Sequence, residues 1–196
     1  MDIKILKKQI NFLKNDLRLY TSKLDHKKVS IFQILKYALL QRDFRLNLFV
    51  RITLSKIKII SNISSKLIFY LYGSSIHRDA TLNCSVRFCH SRAIVIGRHV
   101  KIKNGFAYFF NNITIGKLVP GTPTTECSMP SFEGNCVFGV GSTILGPINV
   151  SKNFVIGANS FCSIQEIPKN TTVVGFNKSV KGVFFSGKHK PFPNAF

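Results

Sequence analysis

Residues 138–162 read FGVGSTILGPINVSKNFVIGANSFC, with an apolar residue at every sixth position. A period of six fits neither an α-helix nor a simple alternating strand, but it fits a solenoid whose coils have three short sides. Each side then contributes one inward apolar residue to a continuous core. Gly139 and Gly157 directly follow inward residues, at sharp bends that leave no room for a Cβ atom.

The same period extends upstream of this stretch. One series begins at Ile76, and a second series, shifted by two residues, ends at Tyr108. Residues 117–131, KLVPGTPTTECSMPS, interrupt the period and have the composition of a loop excursion from one coil. The predicted inward residues are Ile76, Leu82, Phe88, Ile94, Ile96, Ile102, Tyr108, Phe132, Phe138, Ile144, Val150, Ile156 and Cys162.

The first 72 residues differ in composition from the rest of the chain. They contain 15 Lys or Arg against four Asp or Glu, and all 13 glycines and seven prolines lie beyond them. From Ile3 to Leu24, apolar residues alternate in steps of three and four, as on one stripe of a helix. Ser30 forms a capping-box pattern with Gln33, which predicts the start of a second helix.

Three segments follow from these patterns. We predict a basic α-helical domain over residues 1–72, a solenoid over 73–175 with its excursion at 117–131, and a C-terminal tail over 176–196. Two interpretations of the basic helices stay open. They pack on one another or on sister chains, or they form an interfacial surface that also contacts anionic lipid. Both can hold together.

The charge and the cysteines narrow the class of partner and the compartment. A formal net charge of +20 over 196 residues favours an anionic partner. No RRM, KH, finger or helix-turn-helix pattern is present, so we expect no nucleic-acid partner.

The five cysteines lack zinc-site spacing, which predicts no metal and a reducing compartment. The start MDIKILKKQ lacks the apolar stretch of a signal peptide, and no apolar stretch is long and uncharged enough to span a membrane. We therefore expect a cytoplasmic protein that can contact the inner face of the membrane.

Six segments of the solenoid resemble the hexapeptide-repeat acyltransferases, whose fold is a left-handed parallel β-helix. Within that family they are similar to the serine acetyltransferase branch, which also includes capsule and exopolysaccharide O-acetyltransferases. The resemblance covers about residues 73–182 and implies a homotrimer with active sites between subunits. The segments are IHRDATL (76–82), RFCHSRAIVIG (87–97), NNITIG (111–116), FGVGSTILGPINV (138–150), IGANSFC (156–162) and IPKNTTVVG (167–175).

The resemblance assigns the role of general base to His90. An imidazole with a pKa of about 6.5 can accept the proton of an acceptor hydroxyl as its oxygen attacks the thioester of acetyl-CoA, the co-substrate. A backbone N–H would stabilise the oxyanion. The resemblance also places His77 and Ser75 near the acceptor. The residues that it assigns to acetyl-CoA binding are Asn112, Gly116, Val140, Ala158, Lys178 and Lys181.

Three residues depart from the serine acetyltransferase pattern. Ser75 replaces an aspartate that orients the histidine, Met129 replaces a histidine before a proline, and Ala93 replaces a glycine. Because an amino-acid acceptor needs charged partners, the first two changes favour a sugar hydroxyl in capsule, O-antigen or exopolysaccharide biosynthesis. Two alternatives stay open: serine or another small molecule as acceptor, and a non-catalytic solenoid that binds partners or a membrane.

Overall fold

The computed structural model describes residues 2–21, 28–119, 121 and 123–181. Four helices come first: α1 (Asp2–Tyr20), α2 (Ile31–Leu40), α3 (Arg42–Thr53) and α4 (Lys58–Tyr72). Short strands follow. They are β1 (Ser75–Ile76), β2 (Thr81–Phe88), β3 (Ile94–Ile96), β4 (Lys101–Phe109), β5 (Ile113–Lys117), β6 (Ser131–Glu133), β7 (Cys136–Phe138), β8 (Thr143–Gly146), β9 (Asn149–Val150), β10 (Phe154–Ile156), β11 (Phe161–Cys162), β12 (Glu166–Ile167), β13 (Thr171–Val174) and β14 (Lys178–Lys181).

The strands stack as the three faces of a parallel β-helix. The first face consists of β1, β3, β5, β8 and β11. Long strands β2 and β4 each run around a corner, so that Lys101–Lys103 pair with β6 on the second face and Ala107–Phe109 pair with β7 on the third. Strands β9 and β12 continue the second face, and β10 and β13 continue the third. Only β14 runs antiparallel to its neighbour, β13, among the pairs described.

The core consists of one inward residue from each face of each coil, held in register with its neighbours above and below. All fifteen are at most 3% exposed. Burial of each large apolar side chain contributes about 1.5–3 kcal/mol. The three columns are Ile76, Ile96, Ile115, Ile144 and Cys162; Leu82, Ile102, Phe132, Val150 and Ile167; and Phe88, Phe109, Phe138, Ile156 and Val173.

The prediction that Tyr108 is an inward core residue of the third face is wrong, because Phe109 occupies that position. Phe109 pairs with Phe88, whereas Tyr108 lies on the opposite side of the pleat. Asn104 and Gly105 both have left-handed backbone conformations, with φ of 63°. They add one residue to this corner, and the period of six slips by one.

The N-terminal helices cover the open edge of the first coil. In the described residues β2 pairs only with β4, so its other edge would leave backbone groups without partners. Asp16 of α1 and Arg51 of α3 bind this edge as a buried, two-fold hydrogen-bonded ion pair, with both N–O distances 2.8 Å. Arg51 also donates to the carbonyls of Leu82 (2.6 Å) and Cys84 (2.7 Å). The Val86 N–H donates to Asp16 at 2.7 Å.

Two further side chains complete this cap. The Tyr20 hydroxyl accepts from the Phe88 N–H at 2.8 Å and lies 3.0 Å from the Phe88 carbonyl. The Asn47 amide donates to the Val86 carbonyl at 2.8 Å. Burial raises the pKa of Tyr20 well above its ordinary value, so this hydroxyl stays protonated. The apolar stretch around Arg51 is therefore an edge cap of the solenoid.

The helices otherwise follow their sequence signals. Ser30 is the N-cap of α2 and forms the predicted capping box with Gln33. Leu13 and Leu17 of the α1 stripe are buried, while Leu24 lies outside the described residues. The division into segments at residues 72 and 175 stays a prediction. No helix in the described part of the chain is long and apolar enough to cross a bilayer.

Candidate active site

His90 lies at an enlarged corner of the solenoid, between the third face and the first. It lies two residues after the end of β2, and its side chain is exposed. The inward residues that flank this corner, Phe88 and Ile94, are six positions apart, whereas their partners one coil later, Phe109 and Ile113, are four apart. The two extra residues explain the phase shift of the repeat and push His90 outward.

The corner is held in place by its backbone. The Ser91 N–H donates to Asp43 Oδ1 of α3 at 3.0 Å, and the Ala93 N–H donates to the Tyr72 carbonyl at 3.1 Å. Ala93 has φ of 53°, a left-handed conformation that glycine adopts without strain and alanine adopts at a cost of about 1–2 kcal/mol. The backbone conformation at this position therefore explains the glycine of the family pattern. In this chain Ala93 adopts the same conformation with strain.

The imidazole of His90 is available to a substrate. Its ring lies 6.0 Å from the Phe110 ring, centroid to centroid. Neither ring nitrogen has a hydrogen-bond partner among the residues that the structure describes. The neighbouring Cys89 is not a competing nucleophile, because burial raises the pKa of its thiol to about 11. His90 is thus the exposed imidazole of this corner.

His77 lies at the next corner, between the first face and the second. The Asp79 N–H donates to His77 Nδ1 at 3.1 Å, so Nδ1 is unprotonated and Nε2 carries the proton of the neutral ring. Partial burial lowers the pKa of His77, against the opposing effect of Asp79. Ser75 is exposed on β1, in register with Val95.

The structure distributes the predicted site residues over two corners. Asn112, Val140 and Ala158 lie along the corner of His90: the Asn112 N–H donates to the Arg92 carbonyl, and Val140 and Ala158 each follow an inward residue by two positions. Gly116 lies along the corner of His77, two coils away. Lys178 and Lys181 belong to β14, but their side chains lie outside the described residues.

Met129 also lies at the corner of His77. Its side chain is 4% exposed and packs beside Gly97, where an added Cβ would lie 2.8 Å from Met129 Cε. A thioether carries no charge and donates no hydrogen bond. At the position of Met129 the chain therefore lacks the charged or hydrogen-bonding group that a histidine would provide. In the described ranges, no group of three or more His, Cys, Asp or Glu side chains could hold a metal ion.

Curated relatives of known activity match part of the chain, although no family model matches it. The serine acetyltransferase of Buchnera aphidicola (subspecies Schizaphis graminum) is 32% identical over 120 residues, which are 61% of this chain and 44% of that protein. The serine acetyltransferase of Staphylococcus epidermidis (strain ATCC 12228) is 32% identical over 112 residues, or 57% of this chain and 50% of that protein. The chain spans about half the length of these two relatives.

Solved structures match almost the whole chain. A truncated serine acetyltransferase apoenzyme superposes with a TM-score of 0.65 at 22% identity, over 91% of this chain and 70% of that one. The chain has the fold of a serine acetyltransferase. A serine acetyltransferase in complex with CoA has a TM-score of 0.64 at 21% identity, over 86% of this chain and 68% of that one. The predicted left-handed parallel β-helix with preceding α-helices is confirmed.

The prediction of a sugar hydroxyl acceptor is wrong. The curated relatives above are serine acetyltransferases, and the matching structures include a serine acetyltransferase in complex with cysteine. These proteins are named for serine and not for capsule, O-antigen or exopolysaccharide chains. The inference from Ser75 and Met129 failed because the absence of two expected side chains does not by itself identify the acceptor.

Proposed function

We propose that this chain is an acetyl-CoA-dependent O-acetyltransferase that acetylates serine or a similar small hydroxyl compound, with His90 as the general base. The observation that carries the proposal is the exposed imidazole of His90, without a hydrogen-bond partner among the described residues, at an enlarged corner of a serine acetyltransferase fold. The similarity to curated serine acetyltransferases supports the choice of acceptor.

The proposed reaction needs no covalent bond to the protein. A ring nitrogen of His90 accepts the proton of the acceptor hydroxyl while its oxygen attacks the carbonyl carbon of the acetyl thioester. A backbone N–H stabilises the developing oxyanion. As the C–S bond breaks, the imidazolium returns the proton to the sulfur. The products are an O-acetyl ester and the free thiol of CoA.

The two corners suggest how a homotrimer would complete this site. In one chain, His90 and His77 lie at opposite ends of the first face. In the proposed trimer, the corner of His90 in one chain faces the corner of His77 and Gly116 in its neighbour, and acetyl-CoA lies between them. The geometry fits a ligand here: Ala158 is small and exposed, and an added Cβ at Gly116 would approach only Leu145, at 3.9 Å.

Asp43 is the proposed positioning residue of His90. Its carboxylate accepts the hydrogen bond of the Ser91 N–H at 3.0 Å, one residue after His90, and Ser91 is 2% exposed. This bond fixes the corner to the first turn of α3. In this proposal the hydrogen bond from Ser91 to Asp43 orients His90 through the backbone, in place of the aspartate that Ser75 replaces.

We expect Asp43→Ala to lower kcat roughly tenfold, the equivalent of about 1.4 kcal/mol and typical of one charge-assisted hydrogen bond. KM for acetyl-CoA should stay unchanged, since Asp43 touches neither substrate. Asp43→Asn keeps an oxygen acceptor and should restore most of kcat. Steady-state kinetics with circular dichroism as the folding control test this role. An Asp43→Asn variant as impaired as Asp43→Ala, or an active Asp43→Ala variant, would contradict it.

The proposed function is tested by the release of CoA thiol from acetyl-CoA with different acceptors. We expect release with L-serine and none above background with L-alanine, which differs only by the absent hydroxyl. Equal rates with both amino acids would mean that the acceptor hydroxyl takes no part. Failure of serine, homoserine and threonine alike would exclude this class of acceptor.

A further inference from the structure

Helix α4 exposes large apolar side chains on one side, and its buried residues are Ser61, Ser64, Ile68 and Tyr72. Ser61 and Ser64 are 0% and 3% exposed and donate to the carbonyls of Thr53 (2.6 Å) and Phe49 (2.7 Å). The exposed side of a surface helix is ordinarily polar. Seven apolar side chains of α4 are between 38% and 79% accessible. Phe69 lies apart from the others on the helix circumference. The other six are Ile59, Ile60, Ile63, Leu67, Tyr70 and Leu71.

These six residues, named here the apolar arc, lie on one side of α4. At 3.6 residues per turn they cover about 120° of the helix circumference, and the buried Ile68 and Tyr72 lie on the other side. The helix has 15 residues and is about 22 Å long. A contiguous apolar surface of this kind on a folded protein marks an interaction site.

The surroundings of the apolar arc are basic. Lys58 and Lys66 are exposed along one flank of α4, and Lys56 is exposed just before it. Residues 28–72 contain eight Lys or Arg and a single acidic residue, Asp43. That carboxylate already accepts the hydrogen bond of the Ser91 N–H. One carboxylate does not offset eight positive charges, so this segment carries a formal net charge of +7 (8 − 1).

The apolar arc could contact either a second copy of the chain or a membrane, and the charge around it distinguishes these two partners. A second copy of the chain would bring lysines against lysines, whereas an anionic bilayer offers both an apolar interior and negative charge. We propose that α4 lies in the plane of an anionic membrane surface, with the apolar arc inserted at the boundary of headgroups and acyl chains and the lysines among the headgroups. This contact is independent of the catalytic role of His90.

The test is co-sedimentation of the full chain with phosphatidylcholine vesicles that contain or lack phosphatidylglycerol. We expect binding to the anionic vesicles at low salt, and weaker binding at high salt because screening reduces the lysine contribution. The double variant Ile59→Ser/Ile63→Ser should partition at least about tenfold less. Lys58→Gln/Lys66→Gln should lose roughly fivefold per lysine.

The matched control is Leu118→Ser/Val119→Ser, which removes two exposed apolar side chains far from α4 in sequence. It should bind vesicles like the wild type. All four replaced apolar side chains are 42–74% exposed, so circular dichroism melts should agree with the wild type. Equal binding to neutral vesicles, no binding at low salt, or unchanged binding of the Ile59/Ile63 variant would overturn the proposal. So would a smaller oligomer of that variant in sedimentation velocity with unchanged vesicle binding, since the arc would then join copies of the chain.

Discussion

His90→Asn is expected to lower kcat by roughly 10²- to 10⁴-fold, the range that a positioned general base contributes. Asparagine has a similar size but cannot accept the proton of the acceptor hydroxyl at neutral pH. Because the side chain is exposed, the fold should not change. The measurement is steady-state release of CoA thiol with L-serine as acceptor.

The control for this variant is Lys169→Gln. Lys169 is exposed and follows β12 at the corner between the second and third faces, away from both proposed binding corners. Its activity should equal that of the wild type. A His90→Asn enzyme within a factor of two of the wild type would remove His90 from the reaction.

Arg51→Ala is expected to cost about 3–5 kcal/mol of stability, because it leaves the buried Asp16 carboxylate without its ion-pair partner. It also removes the donors to the carbonyls of Leu82 and Cys84 on the open edge of β2. Folded domains are stable by only about 5–15 kcal/mol, so the loss is a large fraction of the total. The first coil, which carries His90, would lose its cap.

Urea unfolding followed by far-UV circular dichroism measures this effect as a lower midpoint at constant slope. The control is Arg92→Ala, which removes an exposed arginine and should change stability by less than about 0.5 kcal/mol. A midpoint for Arg51→Ala equal to that of Arg92→Ala would show that the edge cap does not stabilise the fold.

The period of six is sufficient to predict the β-helix because one inward residue recurs on each face, whatever fills the corners. It is insufficient where a corner changes length. The Asn104-Gly105 pair, typical of a turn, is the signal that Phe109 rather than Tyr108 faces the core. The two-residue shift after Phe88 carries similar information, because it marks the corner that displays His90.

The edge cap could not be predicted from sequence. Asp16 and Arg51 are 35 residues apart, and an arginine within an apolar stretch is equally compatible with an interfacial helix. Asp43 was missed for the same reason, since it bonds Ser91 across 48 residues. In both cases the interacting residues are far apart in the sequence. A buried charge is stable only with a partner, but the sequence does not identify that partner.

The acceptor was mispredicted for a different reason. Departures at Ser75 and Met129 indicate that the surroundings of the acceptor differ from the serine acetyltransferase pattern, yet an absent side chain does not identify a new substrate. The exposed position of His90, by contrast, follows from one motif and one corner of the solenoid. A short motif is thus enough to locate an exposed histidine, whereas it is not enough to identify the acceptor.

The most direct test of the account is identification of the product formed by the wild-type chain from acetyl-CoA and L-serine. Nuclear magnetic resonance should show O-acetylserine accumulating in equimolar amount with free CoA thiol, and His90→Asn should abolish both signals together. Release of CoA thiol with free acetate as its counterpart, and no acetylated serine, would contradict the assignment.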